Sequence, residues 1–237
     1  PISISSIGGQ QNLPYPVIFV HGLSSDYQTA WDDYISKAQA YFGWSYGGNL
    51  NFCLNQNGNL NNANSITDYK DWTIINSLGS ADFYTINFSV DLSGQDLPRI
   101  NSIQSNQASI VKQGLAIRDA IKQILQVTGR SKVILVGHSM GGLASREYLQ
   151  NSSIWQPDGN HHVAKLLTLG TPHGGSNSTS FGVLFNIDEL SEAVRDLRFS
   201  YYSGHVGVYL FGGNENTTDI TGLTSDFYNV DVNCNGS

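Results

Sequence analysis

Lys132-Val133-Ile134-Leu135-Val136-Gly137-His138-Ser139-Met140-Gly141-Gly142 is the stretch that decides the fold. An apolar, β-branched run leads into a G-x-S-x-G pattern, and Leu143-Ala144-Ser145-Arg146-Glu147-Tyr148-Leu149 continues with helix-compatible residues. Strand, sharp turn, helix is the context in which this pattern carries chemistry. The flanking glycines let the chain reverse tightly and lift one hydroxyl, that of Ser139, out at the end of a buried strand. The competing reading is a chance Gly-Ser pattern, which a match without flanks could not beat. Here both flanks are right, so Ser139 reads as a nucleophile.

Working outward, Pro16-Val17-Ile18-Phe19-Val20 is a continuous apolar run closed by His21-Gly22, as expected of a strand buried on both faces. Trp31, Tyr34, Ile35, Ala38 and Tyr41 then recur at helical spacing. Residues 43–64 are rich in Gly and Asn and show no period, which reads as a long surface insertion on the lip of the site. Residues 81–88 have the aromatic and β-branched content of a strand. A helical pattern covers 106–128 with Gly129 as its stop, and strands are expected at 164–170 and 206–211. Strand and helix alternate, so the expected fold class is α/β: a mostly parallel sheet with helices on both faces, in one domain over 1–237.

The bulk properties agree with one domain. The chain has 237 residues, 40% of them hydrophobic, enough for one full core and too few for two ordinary domains. Only 13% are charged, with a net charge of -7, and an acidic, Lys-poor surface argues against nucleic acid or an anionic membrane as partner. No apolar run is long enough to span a bilayer. The chain opens at Pro1, so a leader was removed or the sequence was cut, and its richness in Asn, Ser and Gly suits a secreted or periplasmic protein. Cys53 and Cys234 are its two cysteines, and only geometry can say whether they pair.

A serine hydroxyl is a weak nucleophile until a base takes its proton and donors hold the developing oxyanion. In an elbow of this kind one donor is the backbone N–H of the residue after the nucleophile, Met140, and the other comes from the loop after an earlier strand. Leu23, just past Val20-His21-Gly22, is placed to be that second donor. Alone, His21-Gly22 would be an ordinary strand-ending turn.

Three segments then occur in a familiar order: Phe19-Val20-His21-Gly22-Leu23, Val136-Gly137-His138-Ser139-Met140-Gly141-Gly142, and Leu169-Gly170-Thr171-Pro172-His173-Gly174-Gly175-Ser176. Together they resemble the successive motifs of α/β-hydrolase lipases, above all bacterial triacylglycerol lipases of the true-lipase branch and their deacylase relatives. The resemblance covers residues 16–176 and thins out beyond them. It implies a serine carboxylic-ester hydrolase, acting on an ester or lipid through an acyl-serine intermediate and needing no organic cofactor. It also implies the chain order Ser, then Asp or Glu, then His.

That order exposes a gap. His138 is next to the nucleophile on a sharp turn and points elsewhere. His173 belongs to a strand-end loop and reads as structural. His161 and His162 precede a strand, and His205 opens one, so all three fall at the wrong end of the sheet. Glu215, Asp219, Asp226 and Asp231 are the acid candidates, and no His follows them. The expectation is that base and acid lie beyond Ser237, in a C-terminal piece or second chain that completes the fold; the alternative account is a rewired triad using His173 or His205. Asp231, Asn233 and Asn235, with Gly236, match the first half of a calcium loop, a pattern that competes with chance in so Asn-rich a chain. Leu190, Ala193, Val194 and Leu197 lie at helical spacing within a segment of about 175–200, either a lid over the site or a core helix on the sheet. Two other functions remain open: acyl transfer or lipid deacylation with the same nucleophile, and a non-catalytic binding domain without its base.

Overall fold

The computed structural model describes residues 13–54, 69–73, 78–91, 93–97, 107–173 and 191–197. Six strands form one sheet: β1 Val17–Val20, β2 Tyr46–Leu54, β3 Tyr69–Thr73, β4 Phe83–Asn87, β5 Val133–His138 and β6 Val163–Leu169. Their spatial order is β3-β2-β4-β1-β5-β6, with β3 antiparallel to β2 and every other pairing parallel. Four helices accompany them: α1 Tyr27–Phe42, α2 Ile110–Thr128, α3 Met140–Gln150 and the short α4 Glu192–Leu197. None of the described helices is long and apolar enough to cross a membrane.

Strand alternation sorts the core into two layers. Ile18 and Val20 of β1, Tyr84 and Ile86 of β4 and Leu135 of β5 turn to one face and meet Leu115, Ala116, Ile121 and Ile124 of α2 and Ala144 and Tyr148 of α3. Val17, Phe19, Phe83 and Val136 turn to the other face and meet Trp31 and Ala38 of α1. The sheet is therefore mostly parallel with helices on both faces, as the alternation of elements predicts. Near-continuous apolar strands are what burial on both faces requires. Side-chain caps fix the helix starts: Asp26 Oδ1 accepts from Thr29 N–H at 2.6 Å and Ser109 Oγ from Lys112 N–H at 3.2 Å. The Gly129 N–H closes the last turn of α2 on the Leu125 carbonyl, at the stop the sequence predicts.

One expectation is corrected. Residues 46–54, read as part of a surface insertion over 43–64, form β2, an interior strand of the sheet. Leu50, Phe52 and Leu54 point into the core with α2, while Asn49 and Asn51 are buried on the opposite face. These asparagines survive burial because they are partnered: Asn49 Nδ2 donates to Asn51 Oδ1, and Asn49 Oδ1 accepts from Thr85 Oγ1 at 3.0 Å. Residues 55–64 lie outside the described residues, as do residues 206–211, where a further strand is expected.

Candidate active site

Ser139 stands at the turn between β5 and α3 with φ 53° and ψ -126°, a backbone conformation that costs a non-Gly residue of order 1–3 kcal/mol. The surrounding sheet holds it there: its N–H donates to the Leu169 carbonyl at 2.8 Å and its carbonyl accepts from Gly142 N–H at 3.0 Å. It precedes α3, yet its hydroxyl makes no capping bond to the helix, and the residue is only half-buried. The hydroxyl is thus lifted out at the C-terminal end of the parallel strands, where ligands of such sheets bind.

The end of β1 lies beside it. Val20 pairs in register with Gly137. A Cβ on Gly22 would come 2.7 Å from Ser139 Cβ, so only glycine lets the β1 loop approach the serine this closely. Gly141 is tighter still, since a Cβ there would lie 2.5 Å from the carbonyl oxygens of both Val20 and His21. These close approaches bring Leu23 and Met140 to the same place. Their side chains share one apolar cluster with Ile110, Leu143, Ala193 and Leu197. As the first residue of α3, Met140 has a backbone N–H with no intrahelical acceptor.

His21 fastens this loop. It is fully buried, and Phe88 N–H donates to its Nε2 at 2.9 Å. That bond leaves the ring proton on Nδ1, which donates to the Gly22 carbonyl at 2.9 Å. Burial pushes the pKa of His21 down to about 4, so the ring is neutral at ordinary pH. Ser89 Oγ adds a bond to the Ser25 carbonyl at 2.6 Å, tying the loop after β4 to the loop after β1.

The other described histidines fall where the chain order puts them. His173 Nδ1 accepts from the Arg146 guanidinium at 2.6 Å, and Nε2 then carries the proton toward Thr168 Oγ1 at 3.2 Å. Both nitrogens are engaged in tying the loop after β6 to α3, which is a structural role. His162 bonds Asp158 and the Ser131 carbonyl, and its own carbonyl accepts from Val133 N–H at the start of β5. It is one strand length, roughly 17 Å, from Ser139. His161 accepts from Val163 N–H at that same far end. His138 is exposed, with its ring nearly perpendicular to that of Trp31.

His205, Glu215, Asp219, Asp226, Asp231, Asn233, Asn235 and Cys234 lie outside the described residues, while Cys53 is buried in β2. Among the described residues no group of three His, Cys, Asp or Glu could hold a metal ion. Of the segment read as lid or core helix, residues 191–197 are described, and α4 is packed inward, with Ala193, Val194 and Leu197 buried.

Sequence reasoning missed the charged residues behind the site. Lys112 Nζ meets Glu192 Oε1 at 3.1 Å with both side chains fully buried. No local signal links two residues so far apart in the chain.

With this geometry in place, the comparison with known families is decisive. The PGAP1-like alpha/beta domain matches residues 13–228, nearly the whole chain. The chain belongs to this family. The family is one of α/β domains within the hydrolase superfamily, in keeping with the mostly parallel sheet and its helices. Triacylglycerol lipases from Pseudarthrobacter phenanthrenivorans and Burkholderia plantarii are each 43% identical to it over 61 residues. That segment is 26% of this chain and only 17% and 15% of the two lipases. Among solved structures, the mature Bacillus licheniformis lipase BlEst2 is similar with a TM-score of 0.42 and 20% identity, covering 79% of this chain and 56% of that one. The lin2722 gene product of Listeria innocua has a TM-score of 0.43 and 18% identity, covering 69% and 53%. At this distance they add nothing to what the sheet itself shows. The chain spans little more than half the length of these structures.

Proposed function

We propose that this family member is a serine carboxylic-ester hydrolase of lipase type, with Ser139 as nucleophile and the N–H groups of Leu23 and Met140 as oxyanion hole. The observation that carries this reading is the backbone of Ser139. A strained serine at a strand-to-helix turn, half-exposed and with its hydroxyl unspent on the helix cap, is arranged for attack rather than for folding.

In the reaction Ser139 Oγ bonds to the ester carbonyl carbon while its proton passes to a base. The carbonyl π electrons move onto oxygen, which the two N–H groups receive. Collapse expels the alcohol, protonated by the same base, and leaves an acyl-serine. Water repeats the sequence and releases the acid. The base is assigned outside the described residues: His21 and His173 have both ring nitrogens in structural bonds, His161 and His162 stand at the end of β5 remote from Ser139, and His138 sets its ring against Trp31; the acid that orients the base is placed with it.

Ser139→Ala is expected to abolish turnover of a p-nitrophenyl ester while the circular dichroism of the fold is unchanged. Undiminished turnover in that variant would refute the assignment. The same acyl-serine would serve transfer to another acceptor or removal of a lipid acyl group. Partition of product on adding alcohols separates transfer from hydrolysis.

A further inference from the structure

A set of buried polar contacts lies behind the cluster that holds Leu23 and Met140, between α4 and the start of α2. Glu192 Oε2 accepts the Ser109 N–H at 2.9 Å, and its Oε1 accepts from Lys112 Nζ at 3.1 Å. Asp196 Oδ2, one turn further along α4, accepts the Ile110 N–H at 3.0 Å. The Ala193 N–H returns a bond to the Gln107 carbonyl at 3.0 Å. Glu192, Asp196 and Lys112 are essentially fully buried.

Two carboxylates thus meet the unsatisfied N–H groups and positive dipole end of α2, and a lysine from the same helix neutralises one of them. Burial of so much charge makes little stability compared with an apolar isostere, so its value lies in fixing one arrangement. The arrangement fixed is the one around the proposed donors. α4 projects Ala193 and Leu197 into the cluster that holds the side chains of Met140, Leu143, Ile110 and Leu23. From α2, Gln113 Nε2 stands 4.0 Å from Met140 Sδ and bonds the Ala108 carbonyl at 2.9 Å. A shift of α4 against α2 would loosen the seat of both Met140 and Leu23.

We infer that Glu192 and Asp196 are positioning residues of the ester-cleaving site, locking α4 onto the start of α2 so that the Leu23 and Met140 N–H groups are held in place. This rests on the assignment of Ser139 and those two donors. An oxyanion hole binds the transition state and not the ground-state ester, so displacing it lowers kcat and leaves KM nearly alone.

The test compares wild type with Glu192→Gln and Asp196→Asn, each of which keeps an acceptor oxygen but loses the charge. Ile124→Val, in the core near the far end of α2, serves as a destabilised control. kcat and KM for p-nitrophenyl butyrate and the rate of fluorophosphonate labelling are measured well below each variant's Tm. The expected result is a fall in kcat and in labelling rate of about ten- to a hundredfold in both charge variants, with KM within about twofold. Ile124→Val, with a similar drop in Tm, should keep its kcat. Unchanged kcat in folded Glu192→Gln and Asp196→Asn would overturn the inference. So would a rise in KM alone, or loss of the folded state in both variants, because the contacts would then serve substrate binding or the fold. Failure of the underlying assignment has a different signature: wild type without Ser139-dependent turnover or labelling.

Discussion

Replacing Glu147 by Gln should stabilise the protein at pH 8 and leave it nearly unchanged at pH 4.5. Glu147 is 1% exposed on α3, packed against Gly114 of α2. Desolvation is the main force on it, pushing its pKa up from 4.5 to about 7. The Asn151 amide, donating to Oε1 at 2.8 Å, opposes the rise, and the like charge of Asp196 adds to it. The folded state therefore holds a proton that the unfolded chain has already released. Between pH 4.5 and about 7 the native state binds more protons, so this contribution is fully present below 4.5 and is lost as pH rises through 7. The span from 4.5 to about 7 corresponds to about 3 kcal/mol. Gln imitates the protonated carboxyl, keeps an acceptor for Asn151 and never ionises.

His21 works in the opposite sense. It is neutral in the fold with a pKa of about 4, and the unfolded chain takes up its proton below 6.5, so its contribution is lost as pH falls from 6.5 to about 4. A single pH curve would mix the two. Urea unfolding of wild type and Glu147→Gln at the same pH cancels His21 and every other common group. The variant should gain about 3 kcal/mol over wild type at pH 8 and about zero at pH 4.5. An equal difference at the two pH values would refute the reasoning, since a packing effect does not titrate.

Ser139→Gly should raise the Tm by several degrees while removing turnover, because glycine relieves the positive φ at the elbow and a strain of roughly 1–3 kcal/mol. Ser139→Ala, which keeps a Cβ, should show no such rise, and scanning calorimetry of the two variants side by side checks this. Gly141→Ala should lose at least about tenfold in turnover and about 1–3 kcal/mol in stability, since its Cβ would lie 2.5 Å from two backbone carbonyl oxygens that cannot swing aside. A fully active, fully stable Gly141→Ala would show that the β1 end and the elbow are not packed as described.

The parts of this fold that are local in sequence could be read from it. The elbow announces itself because strand, glycine, serine and helix are consecutive, and the strand before it and α2 show plain apolar patterns. Residues 46–54 were harder. Their asparagines look like loop composition, and what makes them acceptable in a strand is Thr85, a partner on β4. The alternation of Leu50, Phe52 and Leu54 was present all along and carried the strand signal.

At the site, His21 looks like a turn residue until Phe88, on a strand far along the chain, is seen to bond it. Lys112 and Glu192 are each unremarkable in their own segment, and only folding turns them into a buried pair. The positions of His161 and His162 were foreseeable because strand direction alone sends them to the end remote from Ser139.

The most direct measurement is the intact mass of the protein in its native full length after incubation with a fluorophosphonate, beside Ser139→Ala in the same chain. One adduct per chain in the wild type, lost in the variant, is the expected result and makes Ser139 an activated nucleophile. No adduct on the folded wild type, or an adduct that persists in Ser139→Ala, would contradict it.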